Sequence, residues 1–406
     1  MSNSVLTTDV IAKEALNILE NELVMAKLVH RGLEDEFDKK INGYNVGETV
    51  SIRRPTDFTV RDGATASVQD IVEGTTSLTV NKQKGVDFAF TSKDLTLNIK
   101  DLSERVIKPA MVQLANQVDA DLMALYKFVP NWVGTAGQTI NSYTDFALAP
   151  QRLDEYSVMA DGRSAVLSPA DHWGLLGSQT ALYMQDVAKG AYRKGALGEI
   201  GGVDTFMAQN VPSHTVGADV TTVTVNQAIT TATTTYASVK DTMTQSINIA
   251  GGDLNAGDVF TIADVNAVNP VTKASLGFAK QFTVISYSAN TLVFYPAMIW
   301  TGAFQNVAVT AGVTDLNTKA ITAVGTAGTS YRQNLVLHKN AFALAMVPMV
   351  APPGAAEVSR QSYKGTSVRI IPVYDGTNDV SMYRCDILYG VKAIDPRLAV
   401  RLSGSA

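Results

Sequence analysis

Few side chains in this sequence belong to the types that do covalent chemistry, and their spacing does not assemble them. The lone cysteine, Cys385, lies in the strand-like run Tyr383-Arg-Cys-Asp-Ile-Leu388 with no Cys-His-Asn order around it, so it reads as core packing rather than a nucleophile. A single cysteine also excludes an intrachain disulfide and a Cys-cluster zinc site. The four histidines, His30, His172, His214 and His338, show no metal-ligand spacing. Asp119 and Asp121 could be a carboxylate pair for acid–base work, but residues i and i+2 of a helix do not face each other, so both read as a solvated face. Asp253, Asp258 and Asp264 fail the alternate-position spacing of a calcium loop and read as turn caps. Gly195, Gly198, Gly201 and Gly202 around Glu199 hint at a phosphate loop but lack a Gly-Lys-Ser/Thr or Gly-x-Gly-x-x-Gly arrangement, so a loop or turn is expected. His172-Trp173 follows Ser168-Pro169, which reads as a helix start with proline at its first position and Trp173 packed. No catalytic residue, metal site or cofactor is expected, and an enzyme would have to build its pocket from the α/β region around Ser168 to Gly202.

The elements that would carry these side chains are uneven in kind. Residues 8 to 31 predict an amphipathic helix, with Ala12, Leu16, Leu19, Leu23 and Ala26 on one stripe and Glu14, Glu20 and Glu22 off it. Residues 44 to 91 alternate as strands, Val50 and Ile52 with Thr49 and Ser51, Leu78 and Val80 with Thr79 and Asn81, around turns at Asp62-Gly63 and Glu73-Gly74. That predicts a long two-stranded arm, basic on one limb at Arg53, Arg54 and Arg61. The strongest helix is 101 to 128, where Ile107, Met111, Leu114, Val118, Leu122 and Leu125 form a stripe opposite Gln113, Asn116, Gln117, Asp119 and Asp121. Pro109 predicts a kink or a later start near Lys108. At about 1.5 Å per residue the whole run would span about 40 Å, the length of a strut. Residues 148 to 212 look mixed α/β and 331 to 402 strand-rich.

Composition bounds the whole. The chain has 406 residues, a prior of two or three domains, with 46% hydrophobic residues, 17% charged and a net charge of −5. A charged share of roughly 25% is ordinary. The mild acidity argues against a large basic groove as the main working surface. The polar N-terminus lacks the order of a signal peptide, and Ala341 to Ala356 is too short and too rich in proline to cross a membrane, so the chain reads as soluble with no membrane partner. The charge deficit is concentrated. Ser213 to Ser330 holds 118 residues, 22 threonines and only ten charges, with no Glu or Arg. Short β-type runs recur there at Val220–Val225, Val259–Ile262, Phe282–Tyr287, Thr291–Tyr295 and Val307–Thr310, separated by turn signals. An all-β barrel or sandwich inserted at 213–330 is expected.

Four stretches, in order, resemble the major capsid (coat) proteins of tailed bacteriophages, in the branch typified by the coat protein of phage P22. They are Asn21-Glu-Leu-Val-Met-Ala-Lys-Leu-Val-His-Arg31 with Val46-Gly-Glu-Thr-Val-Ser-Ile-Arg-Arg-Pro55; Lys108-Pro-Ala110 through Leu114-Ala-Asn-Gln-Val-Asp-Ala-Asp-Leu122; Asn334-Leu-Val-Leu-His-Lys-Asn-Ala-Phe-Ala-Leu-Ala345; and Leu388-Tyr-Gly-Val-Lys392 with Asp395-Pro396. The resemblance implies an α+β chain of the HK97-type capsid fold. Its parts would be an N-arm (1–45), an extended loop (46–95), a peripheral domain with the spine helix (96–150), an axial domain (151–212 and 331–390), the inserted β-barrel (213–330) and a C-terminal strand (391–406) returning to the peripheral domain. It also implies a homo-oligomer of pentamers and hexamers in an icosahedral virion shell, assembled in the host cytoplasm. The implied partners are a scaffolding protein in trans, a portal protein, encapsidated double-stranded DNA held by non-specific contact, and in some relatives a decoration protein.

On that reading Arg53, Arg54 and Arg61 of the loop would meet Glu34, Asp35 and Glu36 of the adjacent subunit. The alternative is a solvated loop, since a lone surface ion pair contributes about 0–1 kcal/mol. Two other function classes compete with the viral shell: a compartment shell of the encapsulin type, and a β-rich adhesion or binding protein suggested by the Thr-rich insertion.

Overall fold

A computed structural model describes residues 8–38, 40–41, 44–45, 47–61, 63–66, 68–91, 106–179, 197–230, 234–352, 358–363 and 365–405. The chain forms two compact units, one of Met1–Val50, Ser77–Leu122 and Phe342–Lys392, the other of Ser51–Thr76, Met123–Ala341 and Ala393–Ala406.

In the first unit the N-terminal stripe becomes the helix Thr8–Glu22, and Ala12, Leu16, Leu19, Leu23 and Ala26 are all buried. The helix is shorter than the stripe predicts, because Met25–Lys27 turns as a 3₁₀ segment. The carboxylate of Asp119 accepts from Val24 N at 2.8 Å and Ala26 N at 3.1 Å, which satisfies donors that a continuing helix would have spent internally. The second helix runs Lys108–Met123, 16 residues or about 24 Å, and is followed by the 3₁₀ turn Ala124–Phe128. It starts at Lys108 with Pro109 in its first turn, where a missing N–H costs nothing. Residues 101–105 of the expected strut lie outside the described residues.

The sheet of this unit centres on Val380–Ala393, which lies between Thr366–Asp375 and Lys82–Thr91. Ser359–Tyr363 extends it beyond Thr366–Asp375, and Phe342–Met346 also joins the central strand. The helix Thr8–Glu22 packs on Ser359–Tyr363 and Thr366–Asp375.

The second unit holds a mixed six-stranded sheet in the order Asn131–Val133, Ala399–Leu402, Asn334–His338, Arg163–Leu167, Val203–Met207, Glu199–Ile200. Helices Tyr143–Glu155 and Pro169–Gln179 bury Phe146, Ala149, Leu153, Leu175 and Leu176 against its apolar face. Its three central strands are buried at every position, Arg163, Asn334, His338 and Arg401 included, so they lack the alternation of a half-exposed strand.

The Thr-rich segment closes on itself. Thr224–Val225, Gln245–Ala250, Thr291–Tyr295, Ser275–Ser288 and Val259–Val268 pair in that order, antiparallel throughout. Ile321–Ala323 then pairs with Val259–Val268 and returns to the first strand through Ile321 N to Val223 O and Val225 N to Lys319 O, both 2.9 Å. Closure leaves the ring no open edge. Its centre is a cluster of Phe260, Phe282 and Phe294 with ring centroids 5.1–5.7 Å apart. The strands at Gln245–Ala250 and Ile321–Ala323 are absent from the sequence expectation, since the first has only two isoleucines among polar and small residues and the second is three residues long.

Phe342–Lys392 falls in the same unit as Ser77–Leu122, with Val380–Tyr389 pairing residue for residue with Lys82–Thr91. Ala399–Leu402 inserts between Asn131–Val133, which lies within the stretch 96–150, and Asn334–His338.

Candidate assembly interface

The arm expected at 44–91 is a hairpin only at its base. Thr49–Arg53 pairs with Thr75–Thr79, and Arg54 N donates to Gly74 O at 2.8 Å. Beyond that, the described residues of 54–74 form no strand or helix. The base is anchored to the turn at Lys240-Asp241: Thr75 N and Oγ1 donate to Asp241 Oδ1 at 2.9 and 3.1 Å. These donors, the Thr75 backbone first, hold the Asp241 carboxyl below its ordinary range. A Cβ on Gly74 would lie 2.2 Å from Lys240 O, so only glycine permits this approach.

Near the tip, Thr59 and Gln69 clamp the two limbs. Gln69 Oε1 accepts from Thr59 N and Oγ1 at 2.9 and 3.0 Å, and Gln69 Nε2 donates to Thr59 O at 2.6 Å. Around this clamp Phe58, Val60, Val68 and Ile71 stand in solvent, 57 to 99% exposed. Water is a poor environment for these side chains, and grouped exposed apolar residues mark surfaces that another molecule covers. They are the residues that sequence reasoning missed. The available signal was four large apolar residues between 58 and 71 that belong to neither of the alternating runs quoted for the arm.

The predicted charged residues are placed as follows. Arg53 pairs with Glu73 at 3.4 Å within its own loop and stays 81% exposed. Arg61 donates to Thr65 O at 2.9 Å and to Gly63 O. Arg54 lines a small cavity with Tyr236, Tyr295, Asp395 and Arg397. Glu34 accepts from Arg31 Nε at 3.1 Å and lies over the turn at Gly365, where φ is +76° and a Cβ would meet Glu34 Oε2. Glu36 also has a partner, and the side chain of Asp35 lies outside the described residues. Arg53, Arg61 and Glu34 thus have partners within their own segments, whereas Arg54 stands beside residues distant in sequence.

The side-chain groups of the types that do chemistry hold the structure together. Asp119 is not on a solvated face: it is buried, and burial raises its carboxyl pKa against the opposing pull of the Val24, Ala26 and Met25 amides. Asp121 points elsewhere, accepting from Tyr389 Oη at 2.7 Å and Lys82 Nζ at 3.0 Å. Gly201 and Gly202, both at positive φ, are the two turn residues between Ile200 and Val203, a hairpin turn that calls for glycine. Ser168 caps the helix Pro169–Gln179, its Oγ accepting from Asp171 N at 3.2 Å, but Trp173 is exposed rather than packed.

Asp258 does more than cap a turn. It is buried, accepts from the backbone of Asn255 and Gly217, and meets His214 Nε2 at 2.8 Å, while Tyr126 Oη holds His214 Nδ1 at 3.0 Å. Cys385 is buried, and burial first, then Asp386 and Asp87, push its thiol up to about 12, which suits packing. Among the described residues no group of three or more His, Cys, Asp or Glu could hold a metal ion, and no helix is long and apolar enough to cross a membrane.

Comparison with known proteins supplies the context. No curated protein matches the chain. Among solved structures it is similar to a chain of Mycobacterium phage Che8, with 14% identity, 93% of this chain and 90% of that one covered, and a TM-score of 0.49. It is also similar to the capsid of Ralstonia phage GP4, with 10% identity, 93% and 88% covered, and a TM-score of 0.45. The CUS-3 coat protein I-domain is matched over its full length and 27% of this chain, at 24% identity and a TM-score of 0.20. The model of the family "P22 coat protein - gene protein 5" matches residues 1–404. With that match the expectation of an α+β coat protein of the HK97-type fold stands, and the role is structural, a major capsid protein of the virion shell. The chain belongs to the P22 coat protein family.

Proposed function

We propose that copies of this chain assemble as pentamers and hexamers into an icosahedral shell, with the loop 54–74 of one subunit lying on its neighbour. The observation that supports this reading is the loop itself. A clamped, anchored segment that presents Phe58, Val60, Val68 and Ile71 to solvent is shaped in advance and lacks only a surface to cover it. Burying a Val, Ile or Phe side chain fully contributes about 1.5–3 kcal/mol, a gain multiplied around each capsomer. The charged residues add register: Arg53 exchanges Glu73 for an acidic group in the 34–36 segment of the adjacent copy at little net cost, because both partners of its present pair are exposed.

In the full reading the shell forms around a scaffolding protein supplied in trans in the host cytoplasm, incorporates a portal, and expands as double-stranded DNA enters. DNA contact is non-specific, in keeping with a net charge of −5. A decoration protein binds outside in those particles that carry one.

The test is expression of the chain with and without its scaffold, followed by negative-stain microscopy and sedimentation. Shells or polyheads of megadalton mass are expected from the natural sequence. The double variant Arg53→Glu with Arg54→Glu is expected to give folded chain and fewer particles. Small, uniform species from the natural sequence under all conditions would rule out the shell reading.

A further inference from the structure

The second unit contains a cavity of about 170 Å³ that the shell reading does not use. It is lined from three directions: by Lys273 and Lys280 of the barrel, by Asn131 at the edge of the six-stranded sheet, and by Asp395 and Arg397 ahead of the last strand. Asp57 stands at its exposed mouth.

Three polar groups line this cavity, Lys280 and Asn131 buried and Arg397 with its side chain 41% exposed. Lys280 is only 3% exposed, yet no carboxylate pairs with it among the described residues. Its Nζ lies 3.5 Å from Tyr156 Oη and 4.6 Å from the centre of that ring, contacts too weak to replace the hydration it has lost. Arg397 spends Nε and Nη2 on the two oxygens of Asp395, at 2.8 and 2.7 Å, and Nη1 makes no hydrogen bond among the described residues. Asn131 uses Nδ2 on the carbonyls of Arg397 and Ala399, but its buried Oδ1 accepts nothing.

Two cationic donors and one acceptor, lining a space below the 300–1,000 Å³ of a drug-sized site, define the occupant's chemistry. It must be small and anionic, to receive hydrogen bonds from Lys280 and Arg397. It must also carry a proton, to give one to Asn131 Oδ1. Inorganic phosphate meets both demands near neutral pH, because one oxygen is still protonated; sulfate meets only the first. We infer that this cavity binds inorganic phosphate, held by Lys280, Arg397 and Asn131, and that the bound ion joins the barrel to the last strand of the sheet.

Protonation sharpens the test. Burial first, and then the charges of Arg397 and Arg152, lower the Lys280 amine to about 7. The other charged groups around it are balanced: Asp395 is neutralised by Arg397, and Glu155 by Arg152 at 3.2 Å. Lys273 donates to Ala303 O, and Asp57 sits at the mouth. An arriving anion therefore draws a proton onto Lys280, and affinity falls as pH rises through about 7.

The experiment is calorimetric titration of the full-length chain with phosphate, sulfate and glycerol phosphate, in two buffers of different ionisation enthalpy. Phosphate is expected to bind with proton uptake, and sulfate about tenfold more weakly or worse, the loss expected when a buried acceptor stays unpaired. Glycerol phosphate is expected not to enter. Lys280→Met should lower phosphate affinity about tenfold or more, and Asn131→Leu should erase the preference over sulfate. If either variant fails to fold, phosphorus NMR line-broadening on the natural chain, with sulfate as competitor, reads the same preference without a mutation. Equal binding of phosphate and sulfate, equal binding of glycerol phosphate, absence of binding at tens of millimolar, or full affinity in folded Lys280→Met would each overturn the assignment.

Discussion

The barrel and the loop 54–74 treat apolar residues in opposite ways. In the barrel, Phe260, Phe282 and Phe294 are fully buried against one another and six antiparallel strands close without an edge. In the loop, Phe58, Val60, Val68 and Ile71 face water on a backbone braced by Thr59 and Gln69. The barrel satisfies its own chain; the loop satisfies only its hydrogen bonds. A coat subunit needs both kinds of segment, one that is complete in the monomer and one that becomes complete on assembly.

The sharpest way to break this contrast is to hollow out the barrel. Phe282→Ala removes the ring nearest both of the other two and leaves a cavity, so a loss of about 3–5 kcal/mol is expected. Urea unfolding should show it as a lower midpoint. A loss below about 1 kcal/mol would mean that the three phenylalanines do not form the barrel's stabilising centre.

The second test concerns the barrel's outer wall, at Lys280. Its amine is lowered from 10.5 to about 7, so between these values the unfolded chain binds more protons than the folded one, and stability rises with pH across that window. Below about 7 both states are protonated and the full penalty of a buried charge applies. Lys280→Met should therefore stabilise the chain by on the order of a few kcal/mol at neutral pH in phosphate-free buffer, and the gain should fade towards pH 10.5. Denaturant midpoints of both proteins across that range check it. A gain independent of pH would show that packing, rather than the buried amine, is responsible.

What could be read from the residues follows the same divide. The stripe Ala12, Leu16, Leu19, Leu23 and Ala26 is buried as its spacing requires, since a helix writes its packing in neighbours three and four apart. The barrel's longer strands were visible because β-branched runs and turn residues alternate locally. The end of the first helix was not, because its cause is Asp119, 95 residues from Val24. Pairing of Lys82–Thr91 with Val380–Tyr389 was likewise hidden, because the two strands lie about 300 residues apart in the chain. For the candidate interface, charge drew attention to Arg53, Arg54 and Arg61, whereas the exposed apolar residues beside them were passed over. Local sequence cannot tell an apolar residue that folds inward from one held outward, since the difference lies in whether a core is within reach.

The loop gives the smaller stability effects and the larger assembly effects. Val60→Asp with Val68→Asp alters side chains that are 99% and 93% exposed, so stability should move by no more than about 0.5 kcal/mol. Particle yield should nonetheless collapse, because each subunit would have to bury two carboxylates. Unchanged melting with no particles in sedimentation supports the contrast. Normal particles would show that the loop's apolar residues remain in solvent in the shell.

The smallest effect is expected at Arg53. Its pair with Glu73 is 3.4 Å long and exposed at both ends, so it contributes about 0–1 kcal/mol, and Arg53→Glu should leave the monomer's stability almost unchanged. A monomer-only role predicts nothing more. If Arg53 instead registers the loop on an acidic segment of the neighbouring copy, reversing its sign places like charges across the contact. Assembly would then slow, most strongly at low ionic strength, and recover as salt screens the repulsion. Light-scattering traces of assembly at two salt concentrations separate the cases: a defect rescued by salt assigns Arg53 to the contact, and rates equal to the natural chain at both leave the loop's apolar residues to hold the contact alone.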